Sequence, residues 1–346
     1  MPSIEIQPLT AAASEDWNRF VFEHPQGSPF HLTHWKQVME ESFGYKPHYL
    51  AAYRQQTLCG VLPLFLIENP FAPKILLSTP FAVYGGALSD SDEVRQAFAE
   101  RVTALGTELG VAYVELRNQH GEQSLGFSPV ASHVNFTGPI AAGEEDLMQS
   151  IPRKTRTIIR KSLKQSFSTV RQTEDFRVFE GIYTANLRRL GTPAFPSHYF
   201  ASLLKHFKGM IDIREVFLPD QTPVAAVMTI YFRNQVLPYY GAASEQHNAQ
   251  APSSFLYWDL LLWAGSQGYT FFDFGRSKVE SGSGHFKSHW GFEQRVLPYE
   301  VLLVKATELP NNTPTNPKFE LAIRLWQKLP LSLTKALGPH LIRRFP

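Results

Sequence analysis

The sequence predicts an α/β (α+β) fold arranged as two tandem domains, each a mixed twisted sheet flanked by helices. Three observations carry that expectation. The chain has 346 residues, enough for about two domains at roughly 150 residues each. It is 43% hydrophobic, 13% aromatic and 18% charged, a composition that builds cores and favours strands. Finally, one order of elements occurs twice, and internal repetition is the most informative feature a chain can show before any local motif.

In the first copy, Tyr49 to Tyr53 reads as a strand, Gln55-Gln56-Thr57 as a turn, and Gly60 to Ile67 as a second strand. Three prolines make the stretch from Asn69 to Pro80 a loop or an edge segment. Tyr84-Gly85-Gly86 follows, then a helix-period segment from Glu93 to Leu109 and a strand around Tyr113-Val114-Glu115-Leu116. The second copy runs in the same order. Ile211 to Leu218 is a strand, Asp220-Gln221-Thr222 a turn and Pro223 to Arg233 a strand. Tyr240-Gly241, a helix from about Ser253 to Gln267 and the strand Phe271-Phe272-Asp273-Phe274 complete it. The Tyr-Gly glycine and the strand carboxylate lie 30 positions apart in one copy (85 to 115) and 32 in the other (241 to 273).

Between the copies, the spacing predicts a helix over 151–170 with Ile151, Ile158, Ile159, Leu163 and Phe167 inward and Arg153, Lys154, Arg156, Arg160, Lys161 and Lys164 outward. A second helix, Thr173 to Leu190, stops at Gly191. Residues 311–317 read as a Pro/Asn/Thr linker and 319–328 as an amphipathic helix. The expected division is a first domain over 1–150, a second over 151–308 that opens with the basic helix, and a linker with a basic tail over 309–346.

With 33 Lys and Arg against 31 Asp and Glu, the net charge is +2, which excludes a general nucleic-acid binder. No apolar run approaches the roughly 20 residues of a membrane span. The start Met1-Pro2-Ser3-Ile4-Glu5 has no basic region followed by an apolar stretch, so no signal peptide is expected and the expected location is cytoplasmic. The single cysteine, Cys59, forms no internal disulfide and provides no zinc cluster.

Several strings resemble the Fem family of acyl- and aminoacyltransferases. They are Pro152-Arg153-Lys154-Thr155-Arg156, Gly275-Arg276-Ser277 and Gly284-His285-Phe286-Lys287-Ser288-His289-Trp290-Gly291-Phe292. The tail, from Asn316-Pro317-Lys318-Phe319 through Trp326-Gln327-Lys328-Leu329-Pro330, is similar to a subgroup associated with PEP-CTERM/exosortase and exopolysaccharide systems. The resemblance covers most of the chain, from Trp17 to Tyr299. It implies two GNAT-like domains that transfer acyl or aminoacyl groups to amines or hydroxyls. Two departures bear on the donor. The loop before the second-copy helix, Glu245 to Pro252, has no glycine, whereas ordinary GNAT acetyltransferases cradle the CoA pyrophosphate on a glycine-rich loop. The near match Arg188-Arg189-Leu190-Gly191 closes a helix instead of opening one. No long helical arm interrupts the second domain, so a tRNA-borne donor is not specified either. Acyl-CoA, an acyl carrier protein and aminoacyl-tRNA all stay open as donors.

Lys287 is the first catalytic candidate. It matches a Phe-Lys pair that resembles the catalytic one of Fem enzymes, and it sits in a Gly/Ser-rich turn between two strands. A fixed ammonium stabilises the oxyanion of acyl transfer more than the ground state; the alternative is an exposed turn lysine. Glu245 is the best-placed carboxylate for a general base, or else a structural acid. Arg276 lies beyond the carboxyl end of a strand, where α/β sheets bind ligands. Its fork suits phosphate or carboxylate, with Asp273 to orient it or to close a structural ion pair. Tyr240, Phe286 and the basic residues Arg153, Arg156 and Arg160 complete the expected substrate-binding set. The paired aromatics Tyr239, Tyr240, Trp258, Trp263, Phe271 and Phe272 read as core.

His285 and His289 have metal-ligand spacing but no third ligand nearby, so no metal is expected. Expected partners are a phosphorylated or polyanionic small molecule, with a lipid-linked glycan or tRNA as further options. Residues 316–346 either lie on an anionic membrane surface or pack across the domains. The expected function is acyl or aminoacyl transfer in cell-envelope or exopolysaccharide biosynthesis. Two alternatives stand beside it: peptidoglycan bridge formation from aminoacyl-tRNA, and a non-catalytic scaffold for polysaccharide machinery at the membrane.

Overall fold

A computed structural model describes residues 3–69, 72–278, 281–309, 317–344 and 346. Two compact units emerge, one of residues 1–132, 296–312 and 346, the other of residues 133–295 and 313–345. They do not follow the linear halves of the chain.

Unit 1 contains β1 (Ile4–Pro8), α1 (Ser14–Glu23), α2 (Thr33–Phe43), β2 (Lys46–Pro47), β3 (Leu50–Arg54), β4 (Thr57–Leu62), β5 (Phe65–Asn69) and β6 (Ala72–Leu77). It continues with β7 (Leu88–Ser89), α3 (Asp92–Leu109), β8 (Tyr113–Leu116) and β9 (Ser128–Val130). Unit 2 contains β10 (His133–Pro139), α4 (Glu144–Ser150), α5 (Arg153–Leu163), β11 (Ser168–Gln172), α6 (Arg177–Leu190), α7 (Ser197–His206), β12 (Ile211–Phe217), β13 (Pro223–Phe232) and β14 (Gln235–Ala243). After these come α8 (Pro252–Ser266), β15 (Phe271–Asp273), β16 (Ser277–Lys278), α9 (Gly282–Ser288) and β17 (Glu293–Val296). The strand β18 (Tyr299–Leu303) belongs to unit 1, and α10 (Pro317–Lys328) and α11 (Leu331–Ile342) belong to unit 2.

The repeated grammar is present as two parallel crossovers, β6-α3-β8 and β14-α8-β15, each preceded by an antiparallel hairpin. The sheets differ. Unit 1 has a four-stranded sheet, β1-β3-β4-β7, and a six-stranded one, β2-β5-β6-β8-β18-β9, whereas unit 2 has one path, β11-β12-β13-β14-β15-β10-β16, with β17 beside β10. The predicted boundary at 150 therefore moves to 132. His133–Pro139 pairs with β15 and β16, so a strand that precedes the basic helix belongs to the second sheet. Tyr299–Leu303 pairs with β8 and β9 and returns to the first.

Local departures have local causes. Gly60 to Ile67 is not one strand, because Pro63 cannot donate to a ladder and the chain breaks there into β4 and β5. The proline-rich 69–80 stretch is not an edge: β6 lies inside the sheet between β5 and β8. Its proline, Pro73, falls near the strand start, beside a register irregularity between Ile67 and Asn69, where a missing N–H is tolerated. Tyr84-Gly85 is loop, while Tyr240-Gly241 is strand. The helix expected over 173–190 begins at Arg177, after Asp175 has accepted the Arg177 N–H. In the tail a second helix, α11, follows α10 despite Pro339 within it, and linker residues 311–316 lie outside the described residues.

The basic helix is corrected in length and in face. It ends at Leu163, Ser166 turns with φ +53°, and the next five ordered residues form β11 antiparallel to β12. Thr155, Ile159 and Ser162 are buried, whereas Ile158 and Leu163 are each 43% exposed. Two hydroxyl residues can face inward because each satisfies its own donor. Thr155 Oγ1 donates to the His289 carbonyl (2.5 Å), and Ser162 Oγ to that of Ile159 (2.8 Å). Arg153, Lys154, Arg160, Lys161 and Lys164 remain on the solvent side. Ile159→Ala should therefore cost about 2–5 kcal/mol, and Ile158→Ala should stay within about 0.5 kcal/mol of wild type. The midpoints and slopes of urea unfolding measure both.

Candidate active site

Parallel pairing of β14 with β15 covers only Gln235 with Phe271 and Val236 with Phe272. Beyond that point β14 continues to Ala243, while the other strand ends at Asp273 and the chain turns at Gly275. A backbone φ of +68° at Gly275 is one that a side chain would strain. Asp273, 1% exposed, fixes this turn by accepting the Gly275 N–H at 2.7 Å. The parted strands leave a wedge in the sheet, and a cavity of about 330 Å³ occupies this region, walled by β14, the 274–276 segment, α8, α9 and the end of α6.

A bulge shapes the β14 wall. Met228 pairs with Tyr240 and Thr229 with Pro238, which leaves Tyr239 as the extra residue. Bulges re-aim side chains, and here Pro238, Tyr239 and Gly241 all border the cavity. Gly241 is required by a close approach, since a Cβ there would lie 2.6 Å from the Tyr257 hydroxyl. Burial pushes that phenol up to about 12, so Tyr257 keeps its proton. On α9, positions 283, 286 and 287 share one face, and Ser283, Phe286 and Lys287 line the cavity. The helix is started by Ser281, whose Oγ accepts the Gly284 N–H at 3.1 Å. Phe286 packs against Tyr257 and Trp290.

Lys287 Nζ donates to the carbonyls of Gly275 (3.0 Å) and Arg276 (3.1 Å). An ammonium has three donors, so two fix its position and the third remains for the cavity. Burial lowers its pKa to about 8; the Asp273 carboxylate opposes that shift and the Arg276 cation adds to it. Arg189, from the last turn of α6, and Arg276 border the same space. Glu245 also borders it, exposed and held loosely by Arg189, with Nε to Oε2 at 3.8 Å. Among the lining residues there are thus three cations and one carboxylate, a set that attracts anionic substrate groups and developing negative charge.

Residues 153–288 match a family model described as an acetyltransferase (GNAT) domain. The matched stretch lies wholly within unit 2. No curated protein sequence matches the chain. Its fold is similar to the crystal structure of FemX, with a TM-score of 0.71 at 15% identity over 92% of this chain and 100% of that one. L-PGS from Bacillus licheniformis matches with a TM-score of 0.56 at 13% identity, covering 93% and 99% of the two chains. A tandem GNAT protein from the clavulanic acid biosynthesis pathway matches with a TM-score of 0.56 at 10% identity, covering 88% and 100%. At these identities the likeness is one of fold, a mixed α/β architecture found in tandem GNAT proteins.

Unit 2 brings together four of the expected residues, Lys287, Phe286, Arg276 and Glu245, at one cavity, with Asp273 fixing the turn beside it. Tyr240 is corrected. It is buried, its hydroxyl 2.5 Å from that of Tyr199, among Tyr183, Phe195 and Phe200. Tyr239, expected in the core, lines the cavity instead, because the bulge reverses the alternation. Arg153, Arg156 and Arg160 do not line the cavity either, since α5 is seated against α8 and the end of α9. Lys287 stands on a helix, not in a turn between strands. Arg189 went unnoticed within Arg188-Arg189-Leu190-Gly191, which does close a helix, at Gly191 with φ +78°. The loop 245–250 forms 3-10 turns, and left-handed Ala251 precedes Pro252 at the start of α8. Cys59 is buried, its thiol donating to the Ala52 carbonyl. Among the described residues no cluster of three metal-ligating side chains occurs, and no helix is long and apolar enough to cross a membrane.

The lowered Lys287 pKa has a consequence for folding. Between about 8 and the ordinary value of 10.5, the unfolded chain holds this proton and the folded chain does not. Stability therefore rises with pH through that window. Wild type should gain up to about 3 kcal/mol relative to Lys287→Met between pH 8 and 10.5, read as the difference between their unfolding midpoints across a pH series.

Proposed function

We propose that the chain transfers an activated acyl or aminoacyl group to an amine or hydroxyl acceptor of cell-envelope or exopolysaccharide biosynthesis. The observation that carries this reading is the convergence of Lys287, Arg276 and Glu245 on the wedge between β14 and β15. The envelope acceptor rests on the sequence resemblance. The acceptor nitrogen or oxygen attacks the donor carbonyl carbon, and its proton passes to the Glu245 carboxylate. The carbonyl oxygen becomes an oxyanion facing the third donor of Lys287. Collapse breaks the bond to the donor's ester oxygen or thioester sulfur, and that leaving group departs with the proton that Glu245 took from the acceptor. Arg276 and Arg189 hold the phosphates of a donor or acceptor, for which planar guanidinium forks are suited.

The residues present fit an anionic donor through these cations. They do not offer the close glycine turn of a typical pyrophosphate cradle, since side chains occupy 245–252 throughout. A CoA thioester, an acyl carrier protein and aminoacyl-tRNA are each compatible with that set. The outward face of α5, with five cations and no acid, favours a second reading in which the donor is carried by RNA. Formation of a peptidoglycan bridge from aminoacyl-tRNA is the corresponding reaction.

A thermal-shift panel of acetyl-CoA, longer acyl-CoAs, UDP-sugars and aminoacyl-tRNA separates these readings. Stabilisation by a CoA thioester supports the acyltransferase reading, and stabilisation by intact tRNA that ribonuclease removes supports the second. Lys287→Ala should lower transfer by about 10²–10³ while leaving donor binding in place, and full activity in that variant would overturn the assignment. Wild-type transfer should also fall as pH rises through about 8, as Lys287 loses its proton. In Lys287→Arg that limb should vanish, because guanidinium does not titrate there. Glu245→Gln should depress kcat and leave KM nearly unchanged.

A further inference from the structure

The consecutive helices α10 and α11 have a face for the protein and a face for something else. Its inner side is fastened to unit 2. Trp326, Thr334, Gly338 and Ile342 are buried, and Trp326 Nε1 donates to the Thr192 carbonyl at 3.2 Å. Arg188 donates to the Leu329 carbonyl (3.1 Å) and Gln327 to that of Arg189 (2.8 Å). Gly338 abuts the Ala194 backbone so closely that a Cβ would lie 2.6 Å from its nitrogen. The inner face thus packs on α6 and residues 192–194 of unit 2.

The outer side does not look like a solvent face. Leu321 is 69% exposed, Leu325 57%, Leu333 43% and Leu337 44%. They form two i, i+4 pairs, so each pair makes a continuous apolar strip on its helix. A helix that faced only water would place polar residues there. Residues 320–344 also hold Arg324, Lys328, Lys335, Arg343 and Arg344 against a single acid, Glu320. Exposed leucines set among cations match the chemistry of an interface that is apolar within and anionic at its surface.

We infer that the outward sides of α10 and α11 seat unit 2 on an anionic lipid bilayer, with Leu321, Leu325, Leu333 and Leu337 entering the acyl boundary. The inference is independent of which group the active site transfers. Such a seat would hold the domain against acceptors that are themselves lipid-linked.

Vesicle sedimentation of the purified full chain tests it, with phosphatidylcholine alone and with phosphatidylcholine plus phosphatidylglycerol. The protein should pellet with the anionic vesicles and be released near 1 M salt, where the screening length falls to about 3 Å. Leu321→Ser with Leu325→Ser, Leu333→Ser and Leu337→Ser should cut the bound fraction about tenfold, as should Lys328→Glu with Lys335→Glu. Charge reversal at Lys154 and Lys161 should leave most binding intact, because α5 packs on α8 whereas α10 and α11 pack on α6. Thermal midpoints check that each variant folds, and the two-lysine variant decides the matter should the leucine variant fail. Absence of binding, or equal binding to both vesicles, overturns the proposal. So does a wild-type dimer in sedimentation equilibrium that the leucine variant converts to monomer, since a second copy would then cover this face.

Discussion

Two residue pairs of parallel ladder join β14 to β15, and the ladder stops there. Backbone N–H and C=O groups that lose a strand partner must find another, and in this sheet the loss is managed by local devices. Asp273 takes the Gly275 N–H, and Lys287 reaches back to the carbonyls of Gly275 and Arg276. The polar groups that close the end of β15 are thus the groups that position the ammonium and the guanidinium at the cavity. Structural need and a place at the cavity coincide in Lys287. Two of its donors satisfy backbone, and burial among them is what moves its pKa towards neutrality.

The two units share an order of elements but differ around the Tyr-Gly pair. In unit 2 the third strand carries the Tyr-Gly pair within its ladder, next to a bulge that turns Tyr239 towards the cavity. In unit 1 the equivalent Tyr84-Gly85 lies in a loop. Tyr84 is buried there, and Arg117 donates to the carbonyls of Thr79 and Ala82. Each sheet is also completed by a strand from outside its own copy, β10 in unit 2 and β18 in unit 1. A duplication read along the chain gives the sequence of elements but not the last strand of each sheet, because pairing is decided by edges that become available only on folding.

Much of the candidate site was legible locally. Lys287 and Phe286 stood out through a string that resembles the Fem family, Arg276 through its position just past a strand end, and Glu245 through its place between strand and helix. What sequence reasoning missed has specific causes. A one-residue bulge exchanged the roles of Tyr239 and Tyr240, and strict alternation cannot register an inserted residue. Arg189 belongs to a helix whose end meets the cavity only in three dimensions. Thr155 and Ser162 took inward positions that apolar periodicity had assigned to Ile158 and Leu163, because hydroxyls bonded to nearby carbonyls bury at little cost.

The sequence by itself determined the fold class, the repeated strand–helix–strand order and the chemical character of the residues available for catalysis. These follow from periodicity, turn residues and side-chain type, all of which act over a few positions. Only the tertiary structure decided which sheet received β10 and β18, where β14 and β15 part, and which cations share a cavity with Glu245. It also decided that the tail presents one face to α6 and leaves its leucines outward. Those outcomes depend on which backbone edges and side-chain volumes meet across long separations in the chain, and no local pattern carries that information.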